Sequence, residues 1–250
     1  MSLISKLVWN TIDVPEELHE LLATLEEEYP VASYGRGLKL KAKRVEGEGT
    51  ISRVKRSPGT VLVEYNSIAA AARGIGSALG KIECDEKSPF KTLGIMLDVS
   101  RNMVMRVDHL KMWFRRLALS GYNMVMLYTE DVYELPDEPF FGYMRGAYTL
   151  DELRELDLYA SRLGIELVGC IQTLGHLEQI LKWGGAYDKV RDTGSVLKVD
   201  EPETYKLIEK MIRFWSEALT SRRIHIGMDE THDLGRGRFL DQNGYESGFD

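Results

Sequence analysis

Two adjacent acids, Asp229 and Glu230, close the apolar run 224–228. Neighbouring carboxylates repel, which pushes their pKa values apart, so that one can keep its proton while the other stays charged. That division is what a general acid working beside a charge stabiliser requires. Gly227 permits close backbone approach, and polar residues continue through Thr231, His232 and Asp233. An arbitrary Asp-Glu pair more often caps a helix or faces solvent, so chemistry here depends on what the rest of the chain places beside it. His225, Asp229, Glu230, His232 and Asp233 could also ligate a metal. No H-E-x-x-H or comparable spacing is present, however, and neither a metal nor another cofactor is expected.

The elements that must position these acids have a repeating rhythm. Apolar strands are predicted over 94–99, 123–128, 165–171 and 224–228, with helices over about 107–119, 149–163 and 201–219 between them. Thr149 and Glu152 have the spacing of a capping box. The strands read as apolar on both faces, the mark of a parallel sheet covered by helices. Each ends in polar or ionisable residues: Asp98 and Arg101, Glu130 and Asp131, His176, then Asp229 and Glu230. In a (β/α)8 barrel the C-terminal strand ends form the catalytic rim. A full barrel takes eight strands and about 250 residues, and the chain after residue 88 has room for about four β/α units. The expectation is therefore an N-terminal α/β domain over 1–88 and the first half of a barrel over 89–250, truncated. Its open strand edges would let copies self-associate.

The first domain has a different texture. A helix is predicted over 14–29, with Pro15 in its first turn and Leu18, Leu21, Leu22 and Leu25 as its apolar stripe. Residues 38–43, 50–55 and 60–65 read as strands of an antiparallel meander, with turns at 47–49 and 57–59. The helix at 67–79 is rich in Ala and Gly, which suits close packing on a sheet. Its Gly74-Ile75-Gly76 is not a dinucleotide fingerprint, because the third glycine and the preceding strand are missing. The fold class is thus α/β: a small antiparallel-sheet-plus-helix domain followed by a truncated TIM-type barrel of about four β/α units.

Composition excludes several partners. A formal charge of -7 over 250 residues argues against nucleic acid, which wants a basic surface. No run approaches the ~18 apolar residues of a membrane span, and the start lacks the features of a signal peptide. Cys84 and Cys170 match no metal spacing and read as buried free thiols, which fits a reducing, cytoplasmic setting.

The acids, an Arg and a His together suit glycoside hydrolysis, which needs a proton donor and a stabiliser of anomeric positive charge. Here the chain resembles the family 20 glycoside hydrolases, the β-N-acetylhexosaminidases. Their signature is His or Asn, any residue, Gly, a small or apolar residue, then Asp-Glu; this chain has His225-Ile226-Gly227-Met228-Asp229-Glu230. Residues 96–101 are similar to the family's first barrel strand, 123–131 to its second, and Leu174-Gly175-His176 to its Pro-Gly-His. The resemblance covers about residues 90–235, and the first domain is similar to the one preceding the family's barrel. It implies Glu230 as general acid/base and Asp229 as the group that orients the substrate's 2-acetamido group. That acetamido oxygen, not a protein carboxylate, attacks the anomeric carbon. It also implies Arg101, with Asp98 and His225, at the sugar, and His176 with Glu130 or Asp131 behind Glu230. The substrate implied is a β-linked amino-sugar glycoside or oligosaccharide. Glu130-Asp131 replaces the family's Asp-Asp, Leu174 its proline and Leu93 a common Arg. The family's aromatic pocket walls and its assisting Tyr come from later strands, which this chain lacks. A second reading is therefore a catalytically incomplete fragment or sugar-binding remnant.

Overall fold

The computed structural model describes residues 5–247. Six strands form the first sheet: β1 (Leu7–Val8), β2 (Val31–Ala32), β3 (Leu38–Arg44), β4 (Thr50–Ser57), β5 (Thr60–Tyr65) and β6 (Cys84–Ser88). Four form the second: β7 (Gly94–Asp98), β8 (Met124–Tyr128), β9 (Glu166–Cys170) and β10 (Ile224–His225). The helices are α1 (His19–Glu26), α2 (Ile68–Leu79), α3 (Val107–Leu119), α4 (Leu150–Arg162), α5 (Glu178–Leu181), α6 (Pro202–Ala218) and α7 (Arg238–Asn243). None of the described helices is long and apolar enough to cross a membrane. The chain divides into two compact units. One gathers the chain up to Ile95 with Val107–Val125 and Leu158–Glu166; the other takes Met96–Arg106, Met126–Asp157 and the chain from Leu167 on.

In the first unit the sheet order is β2-β1-β3-β5-β4-β6. The expected meander is incorrect. β4 and β5 pair as an antiparallel hairpin, but β3 lies on the other side of β5 and runs parallel to it. Residues 45–49 carry the chain past β5, with Gly47 and Gly49 both at positive φ. The most apolar strand, β5, thereby takes an interior position, flanked on both sides by more polar ones. The strands β1, β2 and β6 were not anticipated; two of them are only two residues long, too short for alternation to register. The first predicted helix is also shorter, a 3-10 turn at Glu16–Leu18 followed by α1.

The α2 prediction holds. Ser67 caps it by accepting a hydrogen bond from the Ala70 N–H at 3.1 Å, satisfying one of the free donors at a helix start. A Cβ at Gly74 would lie 2.5 Å from Val63 Cγ1, so β5 approaches the helix backbone where the sequence has no side chain. The two cysteines are free, Cys170 buried and Cys84 only half-buried.

The second sheet runs β10-β9-β8-β7, with β9 and β10 parallel, Ile224 opposite Gly169 and His225 opposite Cys170. Neighbours in space are neighbours in sequence, each joined through a helix, which is the βαβ arrangement. The inner strands β8 and β9 are largely buried, as expected. The outer strands are not: β7 buries Leu97 but exposes Met96 and Asp98, and past β10 Met228 is exposed. Two-sided burial fails there because an outermost strand has a neighbour on one side only. Helix α4 begins with the predicted capping box, the Glu152 N–H donating to Thr149 Oγ1 at 3.1 Å and the Thr149 N–H donating to Glu152 Oε2 at 2.9 Å. Trp215 of α6 is buried, and a Cβ on Gly169 of β9 would lie 2.7 Å from its ring.

Candidate active site

The site is assembled from the segments that follow β7, β8, β9 and β10. After β7, Asp98 Oδ1 accepts the backbone N–H groups of Ser100 and Arg101, both at 3.0 Å. That local turn, typical of Asp, aims Arg101 across at the end of β8. Its guanidinium donates to the Tyr128 hydroxyl at 2.7 Å and to Glu130 Oε1 at 3.3 Å. The hydrogen bond to Tyr128 is the main influence holding the Arg101 pKa above its ordinary value. Burial in turn raises the Tyr128 hydroxyl to about 12, so it stays protonated and donates to Glu130 Oε1 at 3.1 Å.

Asp131, beside Glu130, is 2% exposed. Arg145, from the long 133–148 loop, lies 3.3 Å from Asp131 Oδ1 and also donates to the Ser100 carbonyl at 2.9 Å. Burial pushes the Asp131 carboxyl above its usual range, and Arg145 opposes that shift. Ser100 Oγ accepts the Glu130 N–H at 3.2 Å. One guanidinium thus ties together the turn that carries Arg101 and the strand end that carries both acids.

The acid pair lies beside the end of β9. His176 Nε2 is 3.6 Å from Asp229 Oδ2 and 3.4 Å from Glu230 Oε2, without hydrogen-bond alignment to either. The buried Gln172 donates to Asp229 Oδ1 at 3.3 Å. Burial would raise the Asp229 carboxyl, but its own backbone N–H, Gln172 and the fields of His176 and His225 leave it below the ordinary value. Thr173 fixes the chain before the acids, its N–H donating to the Gly227 carbonyl and its hydroxyl to the Ile226 carbonyl. His225 is exposed, and its Nδ1 accepts the Gly227 N–H at 3.3 Å.

The structure therefore brings Asp229, Glu230 and His176 together, and separately Arg101, Asp98 and Glu130. Asp131 faces Arg145, and among the described residues no ion pair joins Glu130 or Asp131 to His176. Sequence reasoning did not single out Tyr128, Arg145, Gln172 or Asp192. Asp192, 4% exposed, accepts the N–H groups of Gly235 and Phe239, each at 2.8 Å, and fixes the segment after the acids. The available signal was polar side chains within or just after apolar strands, which fits Tyr128 and Gln172; Arg145 and Asp192 sit in loops without one.

The family model for the glycosyl hydrolase family 20 catalytic domain matches residues 134–243, a span that includes His176, Asp229 and Glu230. Hexosaminidase D of Homo sapiens is 29% identical over 174 residues, 64% of this chain and 34% of that protein. The chain is similar to the family 20 glycoside hydrolases over this span. Hexosaminidase D of Bos taurus is 28% identical over 141 residues, 53% of this chain and 39% of that protein. The chain thus spans little more than a third of the length of these relatives. Among solved structures, a family 20 β-N-acetylhexosaminidase from Streptomyces coelicolor A3(2) superposes with a TM-score of 0.73 at 20% identity, over 94% of this chain and 57% of that one. An exo-β-N-acetylglucosaminidase of Vibrio harveyi in complex with N-acetylglucosamine gives 0.73 at 18% identity, over 99% of this chain and 48% of that one. These family 20 structures share the fold, and the parallel sheet of this chain resembles part of their barrel.

Proposed function

We propose that this chain serves the removal of terminal β-linked N-acetylhexosamine with retention of configuration. Glu230 is the general acid/base, and Asp229 orients the 2-acetamido group and stabilises the cationic ring that its oxygen forms. Arg101 holds hydroxyls of the terminal sugar with its fork of donors, with Asp98 shaping the turn that presents it, and His176 supports Glu230. The domain division that goes with this reading is 1–88 and 89–250, supported by β6 ending at Ser88 and β7 beginning at Gly94.

The observation that carries the reading is the position of His176 Nε2 within 3.6 Å of both members of an adjacent Asp-Glu pair. The lowered Asp229 carboxyl is the charged partner this mechanism needs. The test is hydrolysis of p-nitrophenyl N-acetyl-β-glucosaminide, with the galacto and unacetylated analogues alongside, by the chain and by Glu230→Gln. Turnover by the parent that Glu230→Gln loses while keeping its fold supports the assignment. Equal activity of the two would overturn it.

A second reading, a sugar-binding half-site without turnover, is favoured by one observation. The Asp229 and Glu230 side chains are 57% and 67% exposed, whereas a catalytic carboxylate is ordinarily sequestered from water. Monosaccharide binding by a folded chain that hydrolyses none of the three glycosides would select this reading.

A further inference from the structure

In the first unit, α2 covers only part of the sheet face on which it lies. The register of β4 against β6 puts Thr50 opposite Ser88 and Ser52 opposite Glu86, and cross-strand partners share a face. That face is the inner one, because Glu86 and Ser88 are half-buried while Asp85 and Lys87, which alternate with them, are exposed. Helix α2 packs on β5 and β4, with Gly74 against Val63 and Ser52. Arg73 reaches from it to the edge strand β6, its Nε and Nη2 donating to Glu86 Oε2 and Oε1 at 3.0 and 2.7 Å. Beside this bridge lies a cavity of about 540 Å³, within the roughly 300–1,000 Å³ of small-molecule sites.

Its walls are fixed in advance. Segment 88–93 forms one of them and is pinned at three backbone groups. Thr50 Oγ1 donates to the Phe90 carbonyl at 2.9 Å, Asn123 Nδ2 donates to the Lys91 carbonyl at 2.7 Å, and the Leu93 N–H donates to Asn123 Oδ1 at 2.8 Å. Gly121 closes another side, so near the stem of Arg73 that a Cβ there would meet it at 3.4 Å. A ligand entering this space would not have to order it. The lining is mostly apolar, made by Ala69, the methylene stem of Arg73, Leu93 and Phe90, the last two exposed at the mouth. Large apolar side chains left at the rim of a cavity mark a surface that takes a partner.

Two polar groups of the lining are left over. Ser52 is 2% exposed, yet its hydroxyl has no hydrogen-bond partner among the described residues. A buried polar group without a partner is costly, so what fills the cavity has to supply the bond. Lys91, on the exposed side, has no ion pair among the described residues, whereas Glu86 is matched by Arg73 and Asp85 by Arg53. The acids of the rim are thus neutralised and an ammonium remains. We propose that this cavity binds a small aromatic hydroxy acid, its ring between the apolar walls, its hydroxyl on Ser52 and its carboxylate at Lys91. None of the lining residues belongs to the acid-pair site, and the proposal stands apart from the sugar-site reading.

The test is titration of the whole chain with p-hydroxycinnamate, followed by amide NMR. Cinnamate, which lacks the hydroxyl, and p-hydroxycinnamyl alcohol, which lacks the charge, are run alongside. The acid should shift the amides of Ser52, Glu86, Lys91 and Gly121. Each of the other two should bind about fivefold more weakly, the scale of one net hydrogen bond or one surface ion pair. In Ser52→Ala the advantage of the hydroxyl should vanish, and in Lys91→Gln the advantage of the charge. Ser120→Trp, which fills the cavity from its lining, should abolish binding of all three. Circular dichroism establishes that each variant is folded, and Lys91→Gln, a surface change, carries the test even where a lining variant fails to fold. No binding of p-hydroxycinnamate to the folded parent, shifts confined to amides outside the cavity, or equal affinity for the three ligands would overturn the proposal.

Discussion

His176 and Glu230 face each other across 3.4 Å, and both hold their backbones in the left-handed region, with φ of 56° and 52°. Side chains other than glycine rarely adopt it, at a cost of roughly 1–3 kcal/mol each. Neither position needs that strain to continue a strand or helix. What it achieves is direction: the chain turns sharply at the end of β9 and again past β10, so that the imidazole and the carboxyl converge.

The strain makes a prediction that separates stability from chemistry. Glu230→Gly relieves it and should be more stable than the parent by about 1 kcal/mol in a denaturant titration, even after glycine's own entropic cost. Its turnover should fall with that of Glu230→Gln, by the order of 10²–10⁴ expected for losing a general acid. A glycine variant less stable than the parent would mean that the left-handed turn is not strained.

Arg101→Lys should keep the charge and lose the fork. Arg101 reaches the Tyr128 hydroxyl and Glu130 with separate nitrogens, and an ammonium cannot reproduce that geometry. The expected result is a ten- to hundredfold weaker affinity for N-acetylglucosamine by calorimetry, roughly the worth of one hydrogen bond to a charged group. Affinity within twofold of the parent would remove Arg101 from the sugar site.

Much of this architecture was legible. Strand ends carrying Arg101, Glu130, His176 and Glu230 could be read because buried strands have to be apolar, and a polar residue stands out at their exits. The α2 packing and the Thr149–Glu152 box were legible because both are local. The sheet order was not: nothing in the period-two pattern of β3, β4 and β5 says which strand lies beside which, and β3 paired with β5 rather than β4. The partners of the acids were hidden for a similar reason. Arg145 meets Asp131 only because a loop folds back by 14 positions, and a charged residue in a loop reads as solvated until its neighbour is known.

Asp192 tests how firmly the segment after the acids is held. Its two oxygens take one backbone N–H each, from Gly235 and Phe239, in a place where water reaches little of it. Asp192→Asn replaces one acceptor with a donor and leaves an N–H facing it. A loss of about 1–3 kcal/mol is expected in denaturant unfolding. Hydrogen exchange at Phe239 should quicken more than exchange in α6. A uniform change across the chain would argue that Asp192 fixes nothing local.

Arg145 gives a prediction with a sign in pH. Burial raises the Asp131 carboxyl above its unfolded value, so between the two pKa values the folded state binds more protons. Folded-state stability therefore falls as pH rises through that window. Arg145 opposes the shift, so Arg145→Met should lift the folded pKa further and extend the loss to higher pH. Below about pH 4, near the ordinary Asp value, Asp131 is largely protonated in both states and the variant forfeits mainly the bond to the Ser100 carbonyl. The gap in Tm between parent and Arg145→Met should accordingly be smallest at pH 4 and widen towards pH 8. A constant gap across that range would show that Arg145 acts through Ser100 alone and leaves the charge on Asp131 untouched.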